Sequence, residues 1–305
     1  MDYRLRAYLF GVIWFILSLL SSVANDTISK YLSLHLQSFE ITFFRFLFTT
    51  ITLVPFMFYY GIEAFKTSQI SIQITRGALL FCGMVLWTYG LTTFPIVTAT
   101  IISFSIPLFV ILLAIPLLKE NIIWQRWIVT IIGFVGIAIA TKAHSEDFNP
   151  KILIFIVSAL IFAILDILNK KLVIKESVIS MESVISMLFY STLTTTIFST
   201  PPLLFYWHMP SLSELILLLI LGISSNLILF FMLKAFALTD ATALAPYRYI
   251  ELIISAIVAY VIFNELPDKS ALYGTLILIP STLFIAYSEG KAIKKNNVTT
   301  KVYNC

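Results

Sequence analysis

Charge is what this chain has least of. Only 12% of its residues are Asp, Glu, Lys or Arg, against roughly a quarter in soluble domains, which excludes a soluble fold as its main body. Cysteine is nearly missing: Cys82 lies inside an apolar run and Cys305 is the last residue, so no disulfide framework and no cysteine metal site is available. The three histidines, His35, His144 and His208, fall between apolar runs, leaving no material for a buried zinc, haem or imidazole proton relay. Glycine is scarce and nowhere forms a phosphate-cradling loop, which excludes ATP hydrolysis by the chain itself. No paired Asp motif, intramembrane His or nucleophile beside a base occurs, so a membrane-embedded transferase lacks its machinery. The chain reads as a non-enzyme without cofactor or metal. Its net charge of +4 forms no basic stripe, which argues against a nucleic-acid partner.

What is present is apolar length. Hydrophobic residues make up 59% of the chain and the mean hydropathy is +0.96. With about 20 apolar residues per crossing, spans are expected near 7–27, 40–60, 74–93, 97–117, 122–141, 152–172, 184–206, 213–236, 242–263 and 270–288. The expected fold is an all-α polytopic membrane protein of ten helices, with the lipid bilayer as solvent. Under that count the basic residues from Arg4 and Arg6 through Lys66, Lys119 and Lys170 to Lys301 share one side, and only Lys30, Lys142, Lys151 and Lys269 face the other. The positive-inside rule then puts both termini in the cytoplasm.

An internal repeat organises these spans. Asp26-Thr27-Ile28-Ser29-Lys30 recurs as Asp166-Ile167-Leu168-Asn169-Lys170, 140 residues on, and Thr49-Thr50-Ile51 with Pro55 recurs as Thr195-Thr196-Ile197 with Pro201, 146 on. Glu120 finds Glu265. Five spans per unit is odd, so the second copy enters from the opposite side and the halves, 1–150 and 151–305, form a 5+5 inverted repeat. Carriers are often built this way. The repeat also argues against reading Arg4, Arg6, the following apolar run and Ser22-Val23-Ala24 as a cleaved signal peptide. A second duplication, Glu176–Met181 repeated as Glu182–Met187, would add roughly 9 Å of helix and carries no functional expectation.

Arg248 and Glu251 stand in an otherwise apolar stretch, in the run Ala245-Pro246-Tyr247-Arg248-Tyr249-Ile250-Glu251. Intramembrane charges are costly and functional by default, and the proline would break the helix there. This is the expected substrate site. The bland rival is that Arg248 and Glu251, three residues apart, neutralise one another on one helix face. Asp26 and Asp166 are assigned structural roles, pairing with Lys30 and Lys170, four residues on. Arg45 and Lys234 would line the path or pair with Glu40 or Asp240.

Pro107 in Ser105-Ile106-Pro107, with Glu120 and Gly136, and in the second half Glu265 and Gly274, resemble the EamA group of the drug/metabolite transporter superfamily. Leu252, preceded by Glu251, stands where that pattern expects proline. Within the group, the chain is similar to S-adenosylmethionine uptake carriers of obligate intracellular bacteria. The likeness runs through Ala24-Asn25-Asp26, Phe43-Phe44-Arg45-Phe46, Trp87-Thr88-Tyr89-Gly90-Leu91, Ser103–Phe109, Glu120–Trp127 and Asp240-Ala241-Thr242.

The resemblance implies a bacterial inner-membrane S-adenosylmethionine carrier. The repeat suggests two halves rocking about a midplane site in alternating access, and exchange for S-adenosylhomocysteine, which lacks only the methyl and its charge, would make chemical sense. Proton coupling through Glu251 is the competing idea. A carrier of amino acids or other amphipathic metabolites is the alternative substrate reading. For this substrate, Arg248 would hold the carboxylate by a bidentate contact, and Glu251 would face the ammonium or sulfonium. Trp87, Tyr89, Phe104, Tyr247 and Tyr249 would stack on adenine or present a ring face to the sulfonium. Ser103, Ser105, Asn226 and Thr242 would bind ribose or purine edges.

Overall fold

The structure, a computed structural model, describes residues 3–61, 65–67, 69–118, 124–142, 148–176, 181–205, 207, 209–238, 244, 247–248 and 250–280. They form α1 (Tyr3–Leu32), α2 (Ser38–Tyr60), α3 (Ile70–Thr93), α4 (Ile96–Ser103), α5 (Ser105–Leu118) and α6 (Trp124–Ala140). A 3₁₀ turn (Pro150–Ile152) leads into α7 (Leu153–Glu176), followed by α8 (Met181–Leu203), α9 (Leu212–Leu238) and α10 (Ile250–Phe263), and α11 covers residues 269–280. No strand occurs among the described residues. That agrees with a solvent that cannot satisfy backbone groups, so each segment must bond to itself.

The described part of each apolar window is largely helical, and the fourth window is divided between α4 and α5. Six segments, Tyr8–Leu32, Ser38–Tyr60, Ile70–Thr93, Ile96–Leu113, Pro150–Asn169 and Leu212–Met232, are long and apolar enough to cross a membrane. Shorter apolar helices run over Thr130–Ala140 and Ile250–Phe263. The chain is therefore a multi-pass membrane protein. Large apolar side chains remain on the outside of the bundle, among them Phe58, Leu212, Val261 and Leu276, as expected where the surroundings are hydrocarbon.

Local chemistry sets the boundaries. The backbone N–H of Gln37 donates to Glu40 Oε2 at 2.8 Å, capping the start of α2, so Glu40 is engaged at the helix end rather than with Arg45. Gly61 ends α2 at φ +82°, a conformation that costs other residues free energy. The break between α4 and α5 falls at Phe104, three residues before Pro107. A proline there has no N–H for the Ser103 carbonyl and its ring crowds that group, so Phe104 N–H turns back to Ile101 O at 3.2 Å. Ser103 and Ser105 hydroxyls donate to Thr100 O and Ile102 O, at 2.7 and 2.6 Å, at the same place.

Helices of the first part of the chain pack on helices of the second: α1 on α9, α2 on α8 and α9, α3 on α7 and α8, α5 on α7, and α1 and α4 on α10. Gly136 of α6 meets Gly274 of α11 so closely that a Cβ at position 274 would lie 2.5 Å from the Gly136 carbonyl oxygen. Small residues allow this approach, and close packing is what holds helices together in lipid. One buried cluster joins Ile101, Phe104, Leu108, Ile137, Leu252 and Leu278. Another, Trp87, Leu91, Ile96, Ile152, Phe155 and Ala159, closes the end of the bundle where α3 finishes and α7 begins.

At that closed end Lys30 Nζ meets Glu265 Oε1 at 2.5 Å, donates to Phe94 O at 2.9 Å and lies 5.1 Å from the Phe263 ring centre. The expected partner of Lys30, Asp26 on the preceding turn, is not the one it takes. Asp26 instead turns inward to Trp87, as described next. The side chain of Lys170, Asp240 and Glu120 lie outside the described residues.

Candidate functional site

From the closed end the bundle opens inward onto a cavity of about 420 Å³ walled by α1, α2, α3, α4, α5, α7, α8, α9 and the start of α10. That volume falls within the roughly 300–1,000 Å³ of small-molecule sites. Its lining carries five charged residues, Asp26, Arg45, Arg76, Arg248 and Glu251, between apolar faces such as Leu80, Ile106, Phe162 and Leu229.

Each charge is held differently. Asp26 accepts a hydrogen bond from Trp87 Nε1 at 3.1 Å. The Trp87 ring is itself fixed edge-on to Phe155, with centroids 4.9 Å apart. Arg45 Nε donates to Ser225 Oγ at 3.0 Å, and Asn25 Nδ2 donates to the neighbouring Ser224 Oγ at 2.7 Å. Arg45 feels Asp26 electrostatically, yet no ion pair within 4 Å joins them among the described residues. Arg76 is committed to protein groups: Nε to Asn169 Oδ1 at 2.7 Å, and Nη1 to Gln73 Oε1 at 2.5 Å and to Met187 O at 3.2 Å. It clasps α3 to α7 and α8.

Arg248 stands just ahead of α10 with its guanidinium 5.8 Å from the Phe104 ring centre. Glu251, in the first turn of α10, lines the cavity together with Ser22 of α1. No ion pair within 4 Å joins Arg248 to Glu251 among the described residues, so the two are not consumed by one another.

Of the residues singled out in the sequence, Arg248, Glu251, Trp87, Ser103 and Asn226 line this cavity. Phe104 is buried beneath Arg248 and belongs to the core. Ser105 is buried and turned to the Ile102 carbonyl. The Tyr247 hydroxyl pairs with that of Tyr8 at 3.0 Å, outside the cavity lining. Tyr89 is 43% exposed and also outside it. Asn226 spends its amide N–H groups on α2, donating to Thr49 O at 3.1 Å and Thr52 Oγ1 at 2.8 Å. Tyr249, Thr242 and Pro246 lie outside the described residues. Arg45, expected from the sequence either to line the path or to pair with Glu40, lines the cavity. Asp26, assigned a structural role on the sequence because Lys30 offers a local partner, lines it as well. So do Arg76 and Asn169, which the sequence reading does not single out as site residues although each is a polar group inside an apolar span.

A charged hollow large enough for a small molecule, at the centre of an apolar helix bundle, is the arrangement of a membrane carrier for a polar small molecule. The family model for EamA-like transporters matches residues 9–142 and again 149–287, and the chain belongs to the EamA-like transporter family. Among relatives, an S-adenosylmethionine uptake transporter of Rickettsia felis is 58% identical across 97% of this chain and 99% of its own. One of the same description from Rickettsia prowazekii is 55% identical over the same shares. A riboflavin transporter of Vibrio cholerae is 26% identical over 93% of this chain and 95% of its own. One crystal structure superposes with a TM-score of 0.58 over 91% of this chain and 95% of that one, at 14% identity, a likeness of fold alone.

Proposed function

We propose that this chain carries S-adenosylmethionine across the bacterial inner membrane by alternating access, with S-adenosylhomocysteine as the exchange partner. The observation that carries the reading is the conjunction of near-full-length identity to the Rickettsia uptake transporters with a central cavity presenting both signs of charge. S-Adenosylmethionine has an ammonium, a sulfonium, a carboxylate, a ribose and a flat adenine. Arg248 offers a planar fork for the carboxylate, and Glu251 a countercharge for a cation. The side chains of Ser103 and Trp87 supply polar and aromatic edges.

Alternating access needs two bodies that rock about the site. The reading here is ten spans as a 5+5 inverted repeat, halves 1–150 and 151–305, with both termini in the cytoplasm. The twofold match of the family model supports it, and so does the packing. Exchanging α1 with α7, α2 with α8 and α3 with α9 turns the α1–α9 contact into α7–α3, leaves α2–α8 unchanged and turns α2–α9 into α8–α3; every one of these pairs touches. In this reading the Lys30–Glu265 contact would act as a gate at its end of the bundle.

The test is uptake of radiolabelled S-adenosylmethionine into bacteria expressing the chain, competed by S-adenosylhomocysteine, adenosine, methionine and mixed amino acids. Saturable uptake inhibited chiefly by S-adenosylhomocysteine, and accelerated when vesicles are preloaded with it, is expected. Absence of uptake with confirmed membrane expression refutes the substrate, and collapse of uptake on removing a pH gradient refutes exchange in favour of proton coupling.

A further inference from the structure

We propose that Asp26 is the residue that recognises the sulfonium, leaving Glu251 to the α-ammonium; this rests on the substrate reading above. In an amino acid the ammonium and carboxylate hang from one carbon, so they must be met by groups close together. Arg248 and Glu251, three residues apart on one short segment and unpaired with each other, provide that. The sulfonium lies beyond a two-carbon arm and needs its own countercharge, from another wall.

Asp26 is so placed. It belongs to α1, across from Arg248 on the segment leading into α10, and lines the same cavity. It is near enough to Glu251 for the two carboxylates to influence each other. Trp87 donates to Asp26 Oδ1; among the described residues Oδ2 has no hydrogen-bond partner. Two carboxylates on one cavity without a cation locked onto either is an arrangement suited to a ligand with two positive centres. The Trp87 donor orients Asp26 while bringing an indole beside it, and Phe162, 6.0 Å from that indole, lines the same wall. A carboxylate on a wall that also carries the rings of Trp87 and Phe162 suits a weakly hydrated sulfonium better than an ammonium, which seeks hydrogen-bond acceptors. The competing role is a counter-ion for Arg45, and there the geometry is open: Arg45 Nε is on Ser225, and no ion pair to Asp26 closes within 4 Å.

The experiment is binding to purified protein in detergent, reading displacement of labelled S-adenosylmethionine by unlabelled S-adenosylmethionine and by S-adenosylhomocysteine, which keeps every group except the methyl and its charge. For Asp26→Asn, affinity for S-adenosylmethionine should fall about tenfold or more, roughly 1.4 kcal/mol per decade, while affinity for S-adenosylhomocysteine, followed with its own label, changes less than about threefold. Asp26→Glu should restore part of the preference, and Trp87→Phe, which keeps a ring and removes the N–H, should erode it. Equal loss for both ligands overturns the assignment and puts the amino-acid group at Asp26. Unchanged affinity for both also overturns it. If Asp26→Asn does not fold, the charge-retaining Asp26→Glu and Trp87→Phe variants decide, since unaltered preference in both is incompatible with the proposal. Absence of S-adenosylmethionine binding by the unaltered protein is the separate failure of the substrate reading itself.

Discussion

Lys30 of α1 and Glu265, just beyond α10, meet at 2.5 Å and tie the beginning of the chain to its last third. The lysine side chain is 9% exposed and the glutamate 26%, so the pair is screened less than a surface ion pair. Glu265 Oε2 is buried with no hydrogen-bond partner among the described residues, so the carboxylate already depends on one contact. Lys30→Met should lower stability by about 1–3 kcal/mol, the range for leaving a buried polar partner unmatched, and Glu265→Gln by less. The double variant should cost less than the sum. Thermal unfolding of the four proteins in detergent measures this; simple additivity would mean the two side chains do not act together.

Arg76 and Arg248 line one cavity but should fail in different ways. Arg76 is bonded to Gln73, Asn169 and the Met187 carbonyl, so Arg76→Lys should lower thermal stability, by about 1–3 kcal/mol, and leave substrate affinity of the folded fraction within about threefold. Arg248→Lys should keep stability and raise the KM for uptake about tenfold or more, because an ammonium lacks the planar fork. Binding and unfolding measured on both variants separate the roles, and identical behaviour would remove the distinction.

Gly274 is constrained by space and Gly61 by backbone angle. A Cβ at 274 would stand 2.4 Å from Ala140 Cβ and 2.5 Å from the Gly136 carbonyl oxygen, so α6 and α11 must separate. Gly274→Ala should cost at least about 1–3 kcal/mol, the usual penalty of overpacking. At Gly61 nothing lies within 4 Å of the added atom, but φ is +82°, and Gly61→Ala should cost about 1 kcal/mol. Yields of monodisperse protein and melting temperatures rank the two, and a silent Gly274→Ala would contradict the packing.

Asp268, in the segment between α10 and α11, is held below its ordinary value first by the Lys142 ammonium it accepts from, and by the Lys269 and Ser270 backbone N–H groups. A carboxylate lowered in the folded state contributes stability that is present above its unfolded value, about 3.9, and is lost as pH falls through the folded value. The stability gap between the unaltered protein and Asp268→Asn should therefore be constant from pH 8 to about 5 and shrink below about 4. Unfolding titrations of both check it; a gap that changed between pH 6 and 8 would place the responsible group elsewhere.

How much of the site was legible follows from the range of each interaction. Arg248 and Glu251 could be found from the sequence because a charge in an apolar run is expensive wherever it sits, and that expense needs no knowledge of neighbours. Asp26 carries the same expense, yet the local grammar of a helix offered it Lys30 four residues on. Only the fold shows Lys30 taken by Glu265 and Phe94, and Asp26 turned to Trp87. Tyr89 and Trp87 differ by two residues, and so point to different sides of α3; no count of aromatic residues reveals which side faces the cavity.

Composition and the run of apolar residues alone determined that the chain lives in a membrane as helices, because solvent and backbone satisfaction act locally, and short motifs such as Pro107, Glu120 and Gly136 carried its resemblance to EamA carriers. The break of the fourth segment ahead of Pro107 appeared only in the fold. Which charges face one hollow, which are spent on holding helices together, and which close an end of the bundle were decided by tertiary packing. Those choices depend on partners more than 60 residues away, such as Trp87 for Asp26, and more than 230 away, such as Glu265 for Lys30, and pairings at that separation leave no periodic trace in the chain.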